Sequence, residues 1–145
     1  MPTGDDASKA QILDVADRLF AAIENTDIAT VERMWSDDIL VWRPGARRDD
    51  DKPRALRVIE WFISVTTERR YEILDRQVFD NGSGGSGGSD GAARGFVQQH
   101  VLHATGTAGQ TIALRVCIVI KLDINGFINR IDEYFDPADI AVLLA

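Results

Sequence analysis

The sequence has little of several features that would identify a protein class. Its single cysteine, Cys117, cannot form a disulfide within the chain. Its two histidines lie in no His/carboxylate cluster, so we expect no metal and no cofactor. The 16 basic residues are outnumbered by 23 acidic ones, and the net charge of −7 disfavours nucleic acid and anionic membranes as partners. No apolar run approaches the ~20 residues that cross a bilayer.

The remaining composition predicts one folded domain. The chain has 145 residues, of which 45% are hydrophobic, and this is enough for one core, so we expect a single domain over residues 1–145. The start of the chain is polar and acidic, unlike a signal peptide, so we expect a cytoplasmic protein.

Hydrophobic periodicity predicts helices first and strands afterwards. Apolar residues recur at helical spacing over residues 8–25, a second short helix follows Thr26-Asp27, and Asp51 and Pro53 begin a third helix that ends near Arg69. A short strand over residues 39–42 precedes the third helix. Four further strands are predicted over residues 71–80, 96–105, 110–122 and 127–135, and a closing helix over 138–144. Residues 81–91, with six glycines, should form a flexible Gly/Ser surface loop.

The last predicted strand contains the candidate for chemistry. Alternation places Ile131, Glu133 and Phe135 on one face and Ile128 on the other. A carboxylate between apolar neighbours is either costly or useful, because burial raises its pKa towards the range of a general acid or base. Glu133 could equally form a structural ion pair with Arg43 or Arg115.

The order of elements and the ending I-D-E-Y-F-D resemble the nuclear transport factor 2-like superfamily. This family of cone-shaped α+β proteins includes SnoaL-like polyketide cyclases, ketosteroid isomerases and limonene epoxide hydrolases. The ending is similar to W-R-D-Y-F-D in the epoxide hydrolases and to R-D-W-P-D in the cyclases. The resemblance covers nearly the whole chain, and it implies three N-terminal helices packed on a curved, mainly antiparallel sheet.

The resemblance also implies positions for site residues. Glu133 matches the catalytic aspartate of the epoxide hydrolases and cyclases. Gln98 and His100 stand where the epoxide hydrolases have an arginine and an aspartate, and Arg43 stands where several relatives have Asn or Asp. No relative's catalytic set is complete here.

We therefore expect Glu133 and His100 to be catalytic residues in a cavity for a small apolar molecule. The expected ligand-binding residues are polar groups near them and apolar wall residues: Arg43, Gln98, Phe20, Trp35, Trp42, Phe62, Ile131 and Phe135. Such a site suits a cofactor-independent isomerase, cyclase or hydrolase. A non-catalytic binding protein and a dimeric structural module with a vestigial cavity are the alternatives.

The strand over residues 110–122 predicts a homodimer. Ile112, Leu114, Val116, Ile118 and Ile120 form one apolar stripe, while Cys117 and Val119 lie on the opposite face. Both faces then need cover, and helices can cover only one of them. We expect a second copy of the chain to cover the outer face.

Overall fold

The computed structural model describes residues 4–81 and 93–144, apart from the side chain of Asp5. Its helices are α1 (Gly4–Glu24), α2 (Ile28–Met34), α3 (Lys52–Ser64) and α4 (Pro137–Ile140), the last followed by a 3-10 turn at Ala141–Leu144. Its strands are β1 (Trp35–Trp42), β2 (Thr66–Asp80), β3 (Arg94–Gly106), β4 (Thr111–Leu122) and β5 (Ile128–Tyr134). The predicted α+β fold is confirmed.

Aspartates cap three of the helices, and the sequence predicts two of these caps, at α2 and α3. Asp27, Asp51 and Asp136 each accept a backbone hydrogen bond from the first turn of α2, α3 and α4, at 3.1, 3.1 and 3.0 Å. Each bond satisfies an N–H group that has no partner inside the helix. Pro follows in the first turn of α3 and α4, where its missing N–H costs little.

The five strands form one sheet in the order β1-β5-β4-β3-β2. The pairs β2–β3, β3–β4 and β4–β5 are antiparallel, and β1 lies parallel to β5. One face of the sheet carries the core, which α1 and α3 cover, and β5 stands between β1 and β4. Glu133 therefore lies on an interior strand.

Two strands begin earlier than the sequence predicted. β1 starts at Trp35 and not at residue 39, and β2 starts at Thr66, inside the segment predicted to end the third helix. Thr66 pairs with Gly106 of β3, and its hydroxyl donates to the carbonyl of Phe62 at 2.7 Å. Strand pairing with a distant segment has overridden the local helical pattern here.

A bulge in β5 places Ile128 on a different face from the one that the sequence predicted. Ile128 pairs with Leu122 and Arg130 pairs with Lys121, so Asn129 is an extra residue between two register positions. Ile128 is consequently buried on the same face as Ile131, not on the opposite face. Glu133 keeps the predicted phase because it lies beyond the bulge.

The apolar stripe of β4 is covered by the chain itself. Ile112, Leu114, Val116, Ile118 and Ile120 are all within the core, at most 7% exposed. The homodimer expected from this strand therefore cannot use the stripe, because the helices pack on the face that carries it.

The predicted Gly/Ser loop lies outside the described residues, apart from Asn81. The amide of Asn81 donates to the carbonyl of Ala93 at 2.9 Å, so the ends of β2 and β3 are held together. Across the described ranges, no helix is both long and apolar enough to cross a membrane.

Candidate active site

A cavity of about 110 Å³ lies between the helices and the inner face of the sheet. Four polar side chains line it: Arg43, Tyr71, His100 and Glu133. The rest of the wall is apolar and comes from every layer of the fold: Leu19, Phe20, Ile23, Trp35, Val58, Ile59, Trp61, Phe62, Leu102, Leu114, Ile118, Ile131, Phe135 and Ile140. An apolar wall with few polar groups is typical of a site for a small, largely apolar molecule.

Glu133 is held in this wall by Arg43. The Nε of Arg43 donates to Oε1 of Glu133 at 3.3 Å, and the two side chains are 17% and 23% exposed. Arg43 follows the last residue of β1, where Pro44 and Gly45 turn the chain back and Gly45 adopts a φ of 87°. The turn therefore brings the guanidinium next to the parallel strand β5.

Burial and charge act in opposite directions on Glu133. Burial raises the pKa of its carboxyl, and the charge and hydrogen bond of Arg43 lower it again, leaving the pKa above its ordinary value. The raised pKa makes this carboxylate a stronger base than an exposed glutamate, so it can accept a proton and release it again.

His100 is buried and neutral. The residue is 1% exposed, and burial together with the charge of Arg76 lowers its pKa to about 4. The rings of Phe20 and Tyr71 contact it edge-on, with centroids 5.4 and 5.0 Å away. His100 can therefore offer or accept a hydrogen bond at neutral pH without carrying charge.

Glu133 and His100 line the cavity from opposite sides of β4. Ile118 pairs with Glu133 on β5 and with Gln98 on β3, and His100 is two residues beyond Gln98. Two strand spacings, roughly 10 Å, thus separate the strands that carry the two groups. A bound molecule would lie between the groups and could contact both.

Tyr71 is a site residue that sequence reasoning missed. It pairs with Leu102 of β3, and this register turns its ring to the cavity beside His100 and Phe20. Burial and the nearby charge of Glu133 raise the pKa of its hydroxyl, which therefore stays protonated. Alternation along β2 places Tyr71 on the same face as Arg69. The sequence could therefore have indicated Tyr71 only if Arg69, a charged residue, were known to point inward.

The structure brings together most of the residues predicted for the site. Those on the cavity wall are Phe20, Trp35, Arg43, Phe62, His100, Ile131, Glu133 and Phe135. Gln98 and Trp42 are not on the wall. Gln98 is fully buried behind His100, where Arg76 covers it. Trp42 packs against Tyr134 and donates to the carbonyl of Ala46, since its strand phase turns it away from the core.

Side chains that bind metal ions do not cluster in the described part of the chain. In residues 4–81 and 93–144, three or more His, Cys, Asp or Glu side chains are nowhere close enough to bind one ion.

Comparison with known proteins gives one family match. The model of the SnoaL-like domain family matches residues 12–121. No curated protein sequence matches the chain significantly.

Solved structures of the same fold are similar over nearly the whole chain. An LEH-like epoxide hydrolase from M. tuberculosis is 20% identical over 93% of this chain and 90% of its own, with a TM-score of 0.65. PrhC from Penicillium brasilianum is 11% identical over 94% and 87%, with a TM-score of 0.74. SalBIII, an epoxide hydrolase/cyclase-like enzyme with a role in pyran ring formation in the polyether salinomycin, is 12% identical over 90% and 95%, with a TM-score of 0.67. At these identities the likeness is one of fold, and it confirms the nuclear transport factor 2-like architecture.

Proposed function

Since this chain belongs to the SnoaL-like domain family, we propose that it is a cofactor-independent isomerase, cyclase or hydrolase that acts on a small apolar molecule with Glu133 as its acid/base. The observation that carries the proposal is the position of Glu133. It is a carboxylate in an apolar cavity, with its pKa raised by burial and its orientation held by Arg43 at 3.3 Å.

The proposed mechanism needs no cofactor. In an isomerisation or cyclisation, ionised Glu133 takes a proton from a substrate carbon, and the electron pair of the broken C–H bond moves onto the adjacent carbonyl oxygen. In a hydrolysis, Glu133 takes a proton from an attacking water, whose oxygen bonds to a substrate carbon while the C–O bond of that carbon breaks and its electron pair stays on the leaving oxygen. His100 donates a hydrogen bond to that oxygen, a role that preoriented neutral donors fulfil well in a dry site. The protonated Glu133 then returns its proton to the product, so no cofactor is consumed.

Arg43 has a positioning role in this proposal. Its hydrogen bond holds Glu133 in one rotamer, and its charge keeps enough of the carboxyl ionised to act as a base. Arg43 also lies 3.8 Å from Asp50, which pairs with Val41 through the backbone.

The ion pair between Arg43 and Glu133 also favours one alternative function. A carboxylate that is already paired can serve as a fixed wall group, and the protein would then bind an apolar ligand without chemistry. Replacing Glu133 distinguishes the two functions, because an enzyme would lose its activity and a binding protein would have no activity to lose.

The experiment replaces the base and keeps its shape. Cyclic ketones are incubated with the protein in D2O, and loss of the proton next to the carbonyl is followed by NMR. Glu133→Gln should lower the exchange rate by about 10² to 10⁴, as expected for loss of a positioned base, with binding little changed. Glu72→Gln, at an exposed carboxylate that pairs with His103, is the matched control. Exchange at the wild-type rate in the Glu133 variant would shift the assignment to the non-catalytic binder.

We also propose that the outer face of the sheet forms a homodimer interface. This face carries half-buried Val97, Val101, Cys117 and Val119, and Tyr134 is 51% exposed beside them. Sedimentation at micromolar concentration tests the proposal. A single species of 16.0 kDa, the mass of one chain, would contradict it.

A further inference from the structure

A chain of hydrogen bonds runs from the protein surface to the back of His100. Asp17 accepts from Nη1 of Arg76 at 2.8 Å. Nε of Arg76 donates to Oε1 of Gln98 at 2.7 Å, and Nε2 of Gln98 lies 2.8 Å from Nδ1 of His100. Gln98 and His100 are 0% and 1% exposed, so water does not compete for the bond between them.

The direction of each bond follows from the chemistry of its donor. A guanidinium can only donate, so the atom of Gln98 that faces Arg76 must be its oxygen. The amide nitrogen of Gln98 then faces His100, and it too can only donate. Nδ1 of His100 is therefore an acceptor without a proton. A neutral imidazole carries one N–H, which must be at Nε2.

We infer that Arg76 and Gln98 are positioning residues that hold His100 as a hydrogen-bond donor at Nε2, and that the molecule bound in the cavity presents an acceptor oxygen, as in a ketone, ester or ether, to this wall. The inference about the bound molecule rests on the proposed function, because it takes the cavity as the site. The inference about Arg76 and Gln98 does not depend on it.

The surroundings of His100 favour this arrangement over a mobile ring. Phe20 and Tyr71 contact the ring edge-on from two directions, so a turn of the imidazole would require both to move. Arg76 is itself held, since its side chain is 13% exposed and lies 5.8 Å above the ring of Phe96. Arg76, Gln98 and His100 are thus packed in place before a ligand arrives.

The charges of the site narrow the class of molecule further. Glu133 is paired with Arg43 on the cavity wall, so the site offers no uncompensated positive charge to a carboxylate or a phosphate. Because His100 donates a hydrogen bond, a molecule that has only donor groups would find no hydrogen-bond partner at His100. A neutral molecule with an acceptor oxygen near His100 and an acidic C–H or a bound water near Glu133 meets both requirements.

The first test measures the tautomer directly in the wild-type protein without any ligand. In ¹⁵N-labelled protein at pH 7, Nδ1 of His100 should resonate in the range of an unprotonated ring nitrogen and Nε2 in the range of a protonated one. The reverse pattern, or averaged shifts for the two nitrogens, would overturn the positioning inference. No variant has to fold for this result.

Two variants test the roles of Gln98 and Arg76. Gln98→Glu replaces the donor with a group that only accepts, so Nδ1 should gain a proton and its resonance should move to the protonated range. Arg76→Met frees the amide of Gln98 to turn, and the two nitrogens should then show mixed protonation. Arg18→Met removes a surface arginine of α1 that pairs with Asp14, and it should leave the His100 shifts unchanged. Unaltered His100 shifts in both test variants would overturn the inference.

The second test uses two probes of the same shape. Cyclohexanone carries an acceptor oxygen where methylenecyclohexane carries a CH2 group. The ketone should bind about fivefold more tightly, the value of one hydrogen bond, and should shift the Nε2–H resonance. This preference should disappear in Gln98→Glu. Equal binding of the two probes, or no binding of the ketone, would overturn the assigned class of molecule.

The two proposals can fail separately. If His100 is the Nε2–H tautomer but Glu133→Gln exchanges protons normally, the proposed reaction falls and the positioning inference stands. If Glu133→Gln is inactive but Nδ1 carries the proton, the positioning inference falls and the reaction stands.

Discussion

The buried histidine should reduce the stability of the protein in mild acid. Its folded pKa is about 4, against an ordinary value of 6.5. Between these two values the unfolded chain binds a proton that the folded chain does not, so protonation favours unfolding. The stability that neutral His100 provides is fully present above pH 6.5, and it is lost as the pH falls towards 4.

The size of the effect follows from the difference between the two pKa values. Each unit of difference is worth about 1.4 kcal/mol. Integrated from pH 7 to pH 5, the contribution of His100 is a loss of about 2 kcal/mol in the free energy of unfolding, which reaches about 3 kcal/mol by pH 4. The conversion is appropriate here because His100 is 1% exposed and solvent screening is small.

His100→Gln removes the titrating group and keeps a polar side chain of similar length beside Gln98. Urea unfolding at pH 7 and pH 5, at fixed protein concentration, gives the free energy of unfolding of each variant. The wild type should lose about 2 kcal/mol more than His100→Gln between these pH values. His103→Gln is the matched control, because His103 is the other histidine and lies at the surface against Glu72.

Parallel pH dependences in the wild type and His100→Gln would refute the reasoning. They would mean that folded His100 takes up its proton as readily as the unfolded chain does. The burial of His100 would then no longer support its assignment as a neutral hydrogen-bond donor in the site.

Further predictions concern the site and the chain between β2 and β3. Arg43→Met should move the acidic limb of the pH–rate profile to higher pH, because the charge of Arg43 lowers the pKa of Glu133. Arg115→Met, on the outer face of the sheet, is the control and should leave the profile in place. An unmoved acidic limb in the Arg43 variant would contradict the pairing of Arg43 with Glu133. Replacing residues 82–92 with Asn-Gly should change the melting temperature by only a few degrees, because Asn81 and Ala93 already close the hairpin and the entropy of loop closure varies slowly with length. Loss of cooperative melting would show that the replaced segment contributes to the core.

Local sequence was sufficient for the elements whose pattern is strong. Side-chain alternation, which is a property of neighbouring residues, predicts the apolar stripe of β4 and the apolar residues Ile131 and Phe135 on either side of Glu133. The capping aspartates of α2 and α3 are local in the same sense, since each bonds to an amide three residues away. The position of Glu133 on an apolar face could thus be predicted before any tertiary contact was known.

Other features depended on contacts between distant segments. The bulge at Asn129 and the early start of β2 at Thr66 are set by pairing with β4 and β3, and such pairing leaves little trace in the local pattern. The sequence placed Gln98 in the site beside His100, but the approach of Arg76 from β2 makes Gln98 a support behind the ring.

Alternation along a strand is dictated by the backbone and can be recognised in one segment of sequence. The face that receives the helices, the register between strands and the direction of a hydrogen bond at a buried imidazole are decided only when the segments meet. For this protein the sequence therefore determined which side chain could be the base, and only the tertiary structure decided that Tyr71 shares its cavity and that Gln98 directs the proton of His100 to Nε2.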